Sequence, residues 1–300
     1  MTGGIFADRH GDLRGVWRIA VYVGLVIPLV TAGLAALRFI GAATPLSEKC
    51  VYLAAAIVPT WLLMRFVNRK PVRAVGLWVH AGALRDMGAG CLLGFLMMAG
   101  IALVMGALGE VTFVRATAGA AEAAGVAGVA VLAFGAGALA EEILFRGYAF
   151  QTLIQGVTFI PATLIASALF ALAHTGNPHV TPFGLANVAL AGVLFSFAYM
   201  KTRSLWLPTG IHFAWNIAQS ALFGFPTSGL REDALFRADV AGPAWICGGE
   251  FGPEGGALAT VALVICTWYI LKAPYITPAE GIVTLDSIED LIPPGGKAAQ

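Results

Sequence analysis

The chain has 300 residues, of which 58% are hydrophobic and 12% are charged, and its mean hydropathy is +0.81. Because soluble domains carry roughly 25% charged residues, this composition excludes an ordinary soluble domain and predicts a protein that crosses a membrane several times. The net charge of +1 and the lack of a basic run interleaved with aromatic residues argue against nucleic acid as a partner.

Apolar runs of about 20 residues, the length that a helix needs to cross a bilayer, determine the predicted architecture. Eight such runs lie near residues 19–41, 48–67, 86–109, 124–145, 158–176, 183–200, 204–223 and 257–273. We therefore predict an all-α, polytopic membrane bundle of about eight transmembrane helices over residues 1–273. The fourth run continues to about Ile154, and Gly156 and Pro161 predict a turn at residues 156–161.

Two stretches lie outside these runs. The 224–256 loop contains several charged residues and is rich in Gly and Pro. Residues 274–300 contain one short amphipathic segment with Pro and Gly on either side, so we expect them to form a mostly disordered tail.

The positions of Lys and Arg predict the orientation, because cytoplasmic loops of membrane proteins are enriched in them. With the N-terminus inside, the eight spans place twelve basic residues in the cytoplasm and five outside, with Arg146 set aside. The five are Arg38, Lys49, Arg115, Arg231 and Arg237. We therefore predict a multi-pass protein of the cell (inner) membrane with both termini in the cytoplasm and the 224–256 loop outside.

Residues 136–148, AGALAEEILFRGY, place Glu141, Glu142 and Arg146 in an otherwise apolar run. A charged side chain costs roughly 2.5–3.5 kcal/mol at the centre of a membrane helix, so charged residues there are functional candidates. Glu142 and Arg146 are four residues apart and share a helix face, whereas Glu141 is rotated from Glu142 by about 100°. The arginine can therefore neutralise one carboxylate while the other faces a cavity.

Two later runs carry further polar side chains. ALFALAHTG places Phe170 and His174 four residues apart, and LPTGIHFAWN does the same for His212 and Asn216. An antiparallel hairpin about the predicted turn sets Glu141 level with His174. Taken singly, each group is most simply a packing or hydrogen-bonding residue. Together, in spans nearly free of ionisable groups, they predict one shared polar intramembrane cavity.

The segments EEILFRGY, FALAH and GIHFAWN resemble the EExxxR, FxxxH and HxxxN/D motifs of the CPBP family of intramembrane proteases. This family includes the CAAX prenyl endopeptidases of the Ras-converting type and the bacterial Abi-type proteins. The motif core, about residues 125–220, covers roughly a third of the chain. The resemblance implies an enzyme that cleaves peptide bonds. It carries these positions over as functional: Glu141, Glu142, Arg146, Phe170, His174, His212 and Asn216.

Amide hydrolysis needs a base that activates water and donors for the developing oxyanion and the leaving nitrogen. Glu141 can be the base, and His174 can hold or polarise the water. His212 and Asn216, one turn apart, can donate to the oxyanion. Alternatively, His174, His212 and Glu141 can ligate zinc with one open position. We favour glutamate-activated water with no required cofactor, because Asn216 is a poor zinc ligand.

We predict a membrane-embedded endopeptidase that cuts a peptide or membrane-protein substrate, lipidated or not, near the bilayer surface. The alternatives are a non-catalytic membrane scaffold or immunity protein of the same family and a proton-coupled transporter that uses the glutamates and histidines as a relay. Residue counts place Glu141 far from a cytoplasmic turn at 156–161 and His212 near that face. We therefore expect the fourth helix to protrude or bend and the cavity to open to the cytoplasm.

Overall fold

The computed structural model describes residues 13–279, and most of them are helical. The helices are α1 (Gly15–Phe39), α2 (Pro45–Leu62), α3 (Ala83–Ala107), α4 (Ala120–Arg146), α5 (Tyr148–Val157), α6 (Phe159–Ala173), α7 (Pro182–Thr202), α8 (Trp206–Asn216), α9 (Ala244–Cys247) and α10 (Ala257–Lys272). π-Helical turns extend α2 over Leu63–Val67 and α8 over Ile217–Leu222. Short 3-10 turns occupy Val72–Val75, Gly249–Phe251 and Pro253–Gly255.

Five stretches of helix in the described part of the chain are long and apolar enough to cross a membrane. They are Gly15–Phe39, Pro45–Val67, Ala83–Ala107, Ala120–Val157 and Pro182–Thr202. The apolar helices α6 and α10 are shorter. Since a helix overlaps each of the eight predicted runs, the multi-pass helical architecture is confirmed, whereas the number of about eight spans remains a prediction.

The prediction of an all-α fold is wrong in one respect, because strands β1 (Val111–Arg115) and β2 (Phe236–Val240) form a two-stranded antiparallel sheet. Val111 pairs with Val240, and Arg115 pairs with Phe236. The sequence of β1, VTFVR, is rich in the β-branched and aromatic residues that favour strands. Both strands lie between the long apolar runs, so hydropathy alone could not reveal them.

The fourth apolar run is divided into two helices, because the helix is interrupted at Gly147 between α4 and α5. A Cβ atom at Gly147 would lie 2.4 Å from the carbonyl oxygen of Ile143, so a glycine is needed for this close approach. A bend in the fourth span, one of the two expected solutions, is therefore present. The chain turns from α5 into α6 at Thr158, whose φ is 70°, within the turn predicted at residues 156–161.

Helix α8, which carries His212, packs in parallel against α3 through glycines that bring the two backbones into contact. A Cβ atom at Gly90 would lie 2.3 Å from the carbonyl oxygen of Leu207, and one at Gly94 would lie 2.3 Å from that of Ile211. Small residues allow such close approach between membrane helices. This contact determines how far α8, and His212 with it, lies from the rest of the bundle.

The first residues of the predicted tail pack against the bundle. Ile276 and Ala279 are buried, and the Ala279 N–H donates to the carbonyl oxygen of Thr202 at 2.8 Å. Residues 274–279 are therefore ordered, and a mostly disordered tail over residues 274–300 stays a prediction. The other tail residues, 280–300, lie outside the described part of the chain.

Candidate active site

The three predicted motif segments meet at one cavity. Glu141 lies near the end of α4, His174 directly follows α6, and His212 lies within α8. These side chains, with those of Phe170 and Asn216, line a cavity of about 810 Å³. The structure therefore brings together residues that are far apart in the sequence.

Glu142 and Arg146 lie behind the cavity wall, and their side chains are fully buried. Arg146 Nη1 donates to Glu142 Oε1 at 3.3 Å, and Nη2 donates to the carbonyl oxygen of Gly192 at 3.1 Å. The same Glu142 Oε1 accepts a hydrogen bond from His212 Nδ1 at 2.9 Å. The contact between Glu142 and Arg146 follows from their helical spacing, and His212 is a second partner that the spacing did not indicate.

Three aromatic rings surround the guanidinium group of Arg146, and the farthest is Phe145, whose centroid lies 5.9 Å from its central carbon. The same carbon lies 4.5 Å from the ring centroid of Phe170 and 5.1 Å from that of Phe195, which are cation–π distances. Phe195 also stacks on His212, with ring centroids 4.9 Å apart and an interplanar angle of 16°. Phe170 contacts His174 at 4.8 Å and His212 at 6.1 Å between centroids. Sequence reasoning identified Phe170 but missed Phe195, which belongs to no motif.

The hydrogen bonds determine which histidine nitrogens are free. Since a carbonyl oxygen can only accept, His174 donates from Nδ1 to the Phe170 carbonyl at 2.7 Å. His212 likewise donates from Nδ1 to the carboxylate of Glu142. In each neutral ring the proton is then on Nδ1 and Nε2 keeps its lone pair. Nε2 of His212 lies 3.7 Å from Oε2 of Glu141.

Glu141 and Glu142 have different surroundings although they are adjacent. The Glu141 side chain is 26% exposed, whereas that of Glu142 is 0% exposed. Oε2 of Glu141 is buried and has no hydrogen-bond partner among the described residues. The rotation between neighbouring helical positions therefore produces one carboxylate that is ion-paired and one that brings an unpaired oxygen to the cavity.

The alternative zinc site of His174, His212 and Glu141 does not fit the arrangement of these side chains. Within residues 13–279, no three His, Cys, Asp or Glu side chains gather in a group that could hold a metal ion. Independence of the protein from a metal cofactor remains a prediction.

The segment before α10 also borders the cavity, although sequence reasoning assigned it no role. Asn187 Nδ2 donates to the carbonyl oxygens of Glu254 at 2.8 Å and Gly256 at 2.9 Å, and Asn187 Oδ1 accepts from Thr260 at 2.7 Å. The Glu254 carboxylate lines the cavity and accepts from the N–H of Ser228. Burial raises the pKa of this carboxyl group above its usual value. No motif could indicate contacts between such distant segments.

The cavity mouth lies on the side of the bundle that the predicted topology places outside. The loop residues that line the cavity include Thr44 after α1, Asn177 after α6 and Arg231 after α8. No residue in the segments that connect α2 to α3, α4 to α6 or α7 to α8 lines it. The predicted cytoplasmic opening is therefore incompatible with the predicted cytoplasmic termini. The distribution of basic residues favours a mouth on the outer side.

Comparison with known proteins gives matches to the segment that carries the motifs. Residues 123–218 match the family model described as Type II CAAX prenyl endopeptidase Rce1-like. A Bacillus subtilis (strain 168) protein whose name describes it as a membrane peptidase, YdiL, is 34% identical over 80 residues, or 27% of this chain and 31% of the relative. The membrane-embedded CAAX protease MroQ of Staphylococcus aureus (strain USA300) is 40% identical over 87 residues, or 27% and 33% of the two chains.

A longer match is to the uncharacterised protein YyaK of Bacillus subtilis (strain 168), which is 27% identical over 169 residues, or 54% of this chain and 56% of the relative. The matches thus span from about a third to just over half of the curated relatives. All the motif residues, from Glu141 to Asn216, lie within the segment that matches the family model. The resemblance predicted from the motifs is confirmed, because residues 123–218 match the family model of the Rce1-like CAAX prenyl endopeptidases.

Proposed function

We propose that this protein is an intramembrane endopeptidase in which Glu141 activates the water that attacks a peptide bond near the bilayer surface. The observation that carries the proposal is the unpaired, buried Oε2 of Glu141, which lies 3.7 Å from Nε2 of His212 at a cavity wall. The match of residues 123–218 to a protease family supports the same reaction class.

The separation between Glu141 Oε2 and His212 Nε2 suits a bridging water better than a direct hydrogen bond. Glu141 accepts a proton from this water as the water oxygen attacks the carbonyl carbon of the substrate. The electron pair of the carbonyl bond moves to its oxygen, which becomes the oxyanion. Glu141 then returns the proton to the leaving nitrogen as the carbon–nitrogen bond breaks.

Glu142 and Arg146 act as positioning residues in this scheme. Glu142 accepts a hydrogen bond from Nδ1 of His212 and thereby keeps Nε2 of that ring directed to Glu141. Arg146 pairs with the Glu142 carboxylate at 3.3 Å, and both side chains are fully buried, so neither can exchange its partner for water. Their substitution is therefore expected to change both stability and activity.

His174 and Asn216 complete the proposed site. Neutral His174 has its lone pair on Nε2, because Nδ1 donates to the Phe170 carbonyl; since Glu141 takes one of the two hydrogens of the water, His174 is an alternative to His212 as the acceptor of the other. Neutral His212 also accepts at Nε2, and the remaining predicted donor to the oxyanion is then the side-chain amide of Asn216, which lines the cavity. This assignment alters the earlier expectation that both residues donate to the oxyanion.

The test uses purified full-length protein and a quenched fluorescent peptide that the wild type cleaves. Glu141→Gln keeps size and hydrogen-bonding capacity but removes the base, so turnover should fall by roughly 10²-fold or more while the melting temperature stays near that of the wild type. Glu48→Gln, which neutralises another carboxylate lining the cavity, should retain activity. Cleavage should also survive exhaustive chelation.

Turnover by Glu141→Gln at the wild-type rate would overturn the proposed role of this residue. Loss of activity on chelation, restored by zinc, would replace it by a metal mechanism. A wild type that cleaves no member of a broad peptide library would favour the non-catalytic scaffold.

A further inference from the structure

A half-buried lysine lies beside the proposed site and has no part in the mechanism above. Lys49 lies in the second turn of α2 and lines the same cavity as Glu141. Within residues 13–279, its ammonium group makes no hydrogen bond and no ion pair, and Nζ lies 5.9 Å from the centroid of the Tyr52 ring. A cation that lines a cavity at the end of a membrane helix without such a partner is a candidate for binding an anionic ligand.

The path of the Lys49 side chain is determined by Gly137 on α4. A Cβ atom at Gly137 would lie 3.1 Å from Cδ and 3.4 Å from Cε of Lys49, so the aliphatic stem lies against the bare backbone. Gly137 precedes Glu141 by one helical turn on the same face of α4. The ammonium group is therefore near Glu141, on the mouth side, and close enough to interact with it electrostatically.

The chemistry of the ammonium group indicates what it binds. It has three donors and no acceptor, and it lies where a peptide that enters from the mouth passes before it reaches Glu141. Glu48 and Glu232 also line the cavity near its mouth; neither forms an ion pair with Lys49, although Glu232 is close enough to interact with it electrostatically. A substrate carboxylate would supply the missing anion, whereas a neutral peptide would desolvate the ammonium group without replacing its hydrogen bonds.

We propose that Lys49 binds a carboxylate of the peptide substrate on the mouth side of the scissile bond and so selects acidic peptides. This proposal rests on the proposed function, because it concerns the substrate of the same site. The carboxylate has two chemical sources, the free C-terminus of a peptide and the side chain of Asp or Glu. The probes below separate them.

The experiment measures peptide binding without turnover, in full-length protein carrying Glu141→Gln. The probes are three otherwise identical apolar pentapeptides: one with a free C-terminal carboxylate, one with a C-terminal amide, and one amide with a single internal Asp. We expect the free acid, the Asp peptide or both to bind about tenfold or more tightly than the neutral amide. Adding Lys49→Met, which keeps an aliphatic stem but removes the charge, should abolish this preference by weakening the binding of the acids, and it should not weaken the binding of the amide, because no ammonium group is then desolvated.

Further variants separate charge from packing. Lys49→Arg should keep the preference. Gly137→Ala should weaken it, because the new methyl group displaces the stem while the charge stays. Arg38→Gln is the matched control: it removes an exposed cation from the last turn of α1 that does not line the cavity, and it should change nothing.

Several outcomes would overturn the proposal. One is an acid-to-amide ratio near one in the protein that retains Lys49, and another is a ratio that Lys49→Met leaves intact. In proteins that retain Glu141, Lys49→Met could instead lower kcat equally for all three peptides. That result would mean that Lys49 acts on Glu141 and does not bind the substrate carboxylate. Absence of cleavage with the binding preference intact would count against the protease alone, so the two failures are distinguishable.

Discussion

The buried contact among Glu142, Arg146 and His212 makes a quantitative prediction. The Oε1 atom of Glu142 accepts from Arg146 Nη1 at 3.3 Å and from His212 Nδ1 at 2.9 Å. The side chains of Glu142 and Arg146 are both 0% exposed. Glu142→Gln keeps the shape of the side chain but leaves the guanidinium without its only carboxylate partner among the described residues.

The expected loss follows from the cost of an unpaired buried charge. Removing one member of a buried ion pair costs about 3–5 kcal/mol. The remaining partners of Arg146, the Gly192 carbonyl oxygen and the Phe170 and Phe195 rings, do not neutralise its charge. For a chain of this size, such a loss lowers the melting temperature on the order of 10 °C. Arg146→Gln should be similarly destabilising, because it leaves the carboxylate unpaired.

The assay is a double-mutant cycle on thermal unfolding of the purified protein in detergent. The double replacement Glu142→Gln with Arg146→Gln should be more stable than the sum of the single losses predicts, because no unpaired ion remains in the interior. Recovery should be partial, because His212 still lacks its carboxylate acceptor. Peptide cleavage should stay low in the two variants that contain Glu142→Gln for the same reason, and in Arg146→Gln because the Glu142 carboxylate that positions His212 has lost its ion-pair partner.

The exposed pair Arg237 and Asp239 on β2 is the matched control, with side chains that are 63% and 50% exposed. Its cycle should show no measurable coupling, since solvent screens such pairs. Stability losses at positions 142 and 146 that simply add would refute the reasoning, because they would mean that the two charges do not depend on each other.

Two further predictions concern packing and orientation. Gly90→Leu should lower the free energy of unfolding by about 1–3 kcal/mol or more and reduce peptide cleavage. The reason is that its Cβ would lie 2.3 Å from the Leu207 carbonyl oxygen and would push α8 away from α3. The control for both measurements is Gly100→Leu on the same helix, where a Cβ has no neighbour within 4 Å. A reporter fused after Gln300 should behave as cytoplasmic, and one inserted at the exposed Asp233 should behave as external. This result would place the cavity mouth outside the cell. An external C-terminus would instead place the mouth in the cytoplasm.

Local periodicity explains why much of the architecture could be predicted. The length of an apolar run determines whether a helix can span a bilayer, and the helical repeat places Glu142 and Arg146 on one face. These are properties of a single helix, which do not depend on its neighbours. The turn near Thr158 belongs to the same class, because Gly156 and Pro161 interrupt the helical pattern locally.

Spacing along the chain was less informative about contacts between helices. The sequence indicated that the polar residues share a cavity, because unpaired polar groups in a membrane must find one another. It did not indicate that His212 bonds to Glu142, since both the depth and the rotation of α8 depend on its contact with α3 at Gly90 and Gly94. It also did not indicate which end of the bundle carries the cavity mouth, because the residues that line the cavity come from loops that are separate in sequence.

The sequence by itself thus determined the membrane class, the helices, the three motifs and the division between a paired and an unpaired glutamate, all of which follow from composition and the period of one helix. Only the tertiary structure decided the break at Gly147, the pairing of β1 with β2, the stacking of Phe195 on His212, the anchoring of Glu254 by Asn187 and the position of Lys49 on Gly137. Each of these depends on close packing between segments distant in sequence, where a shift of one helical turn exchanges one set of neighbours for another.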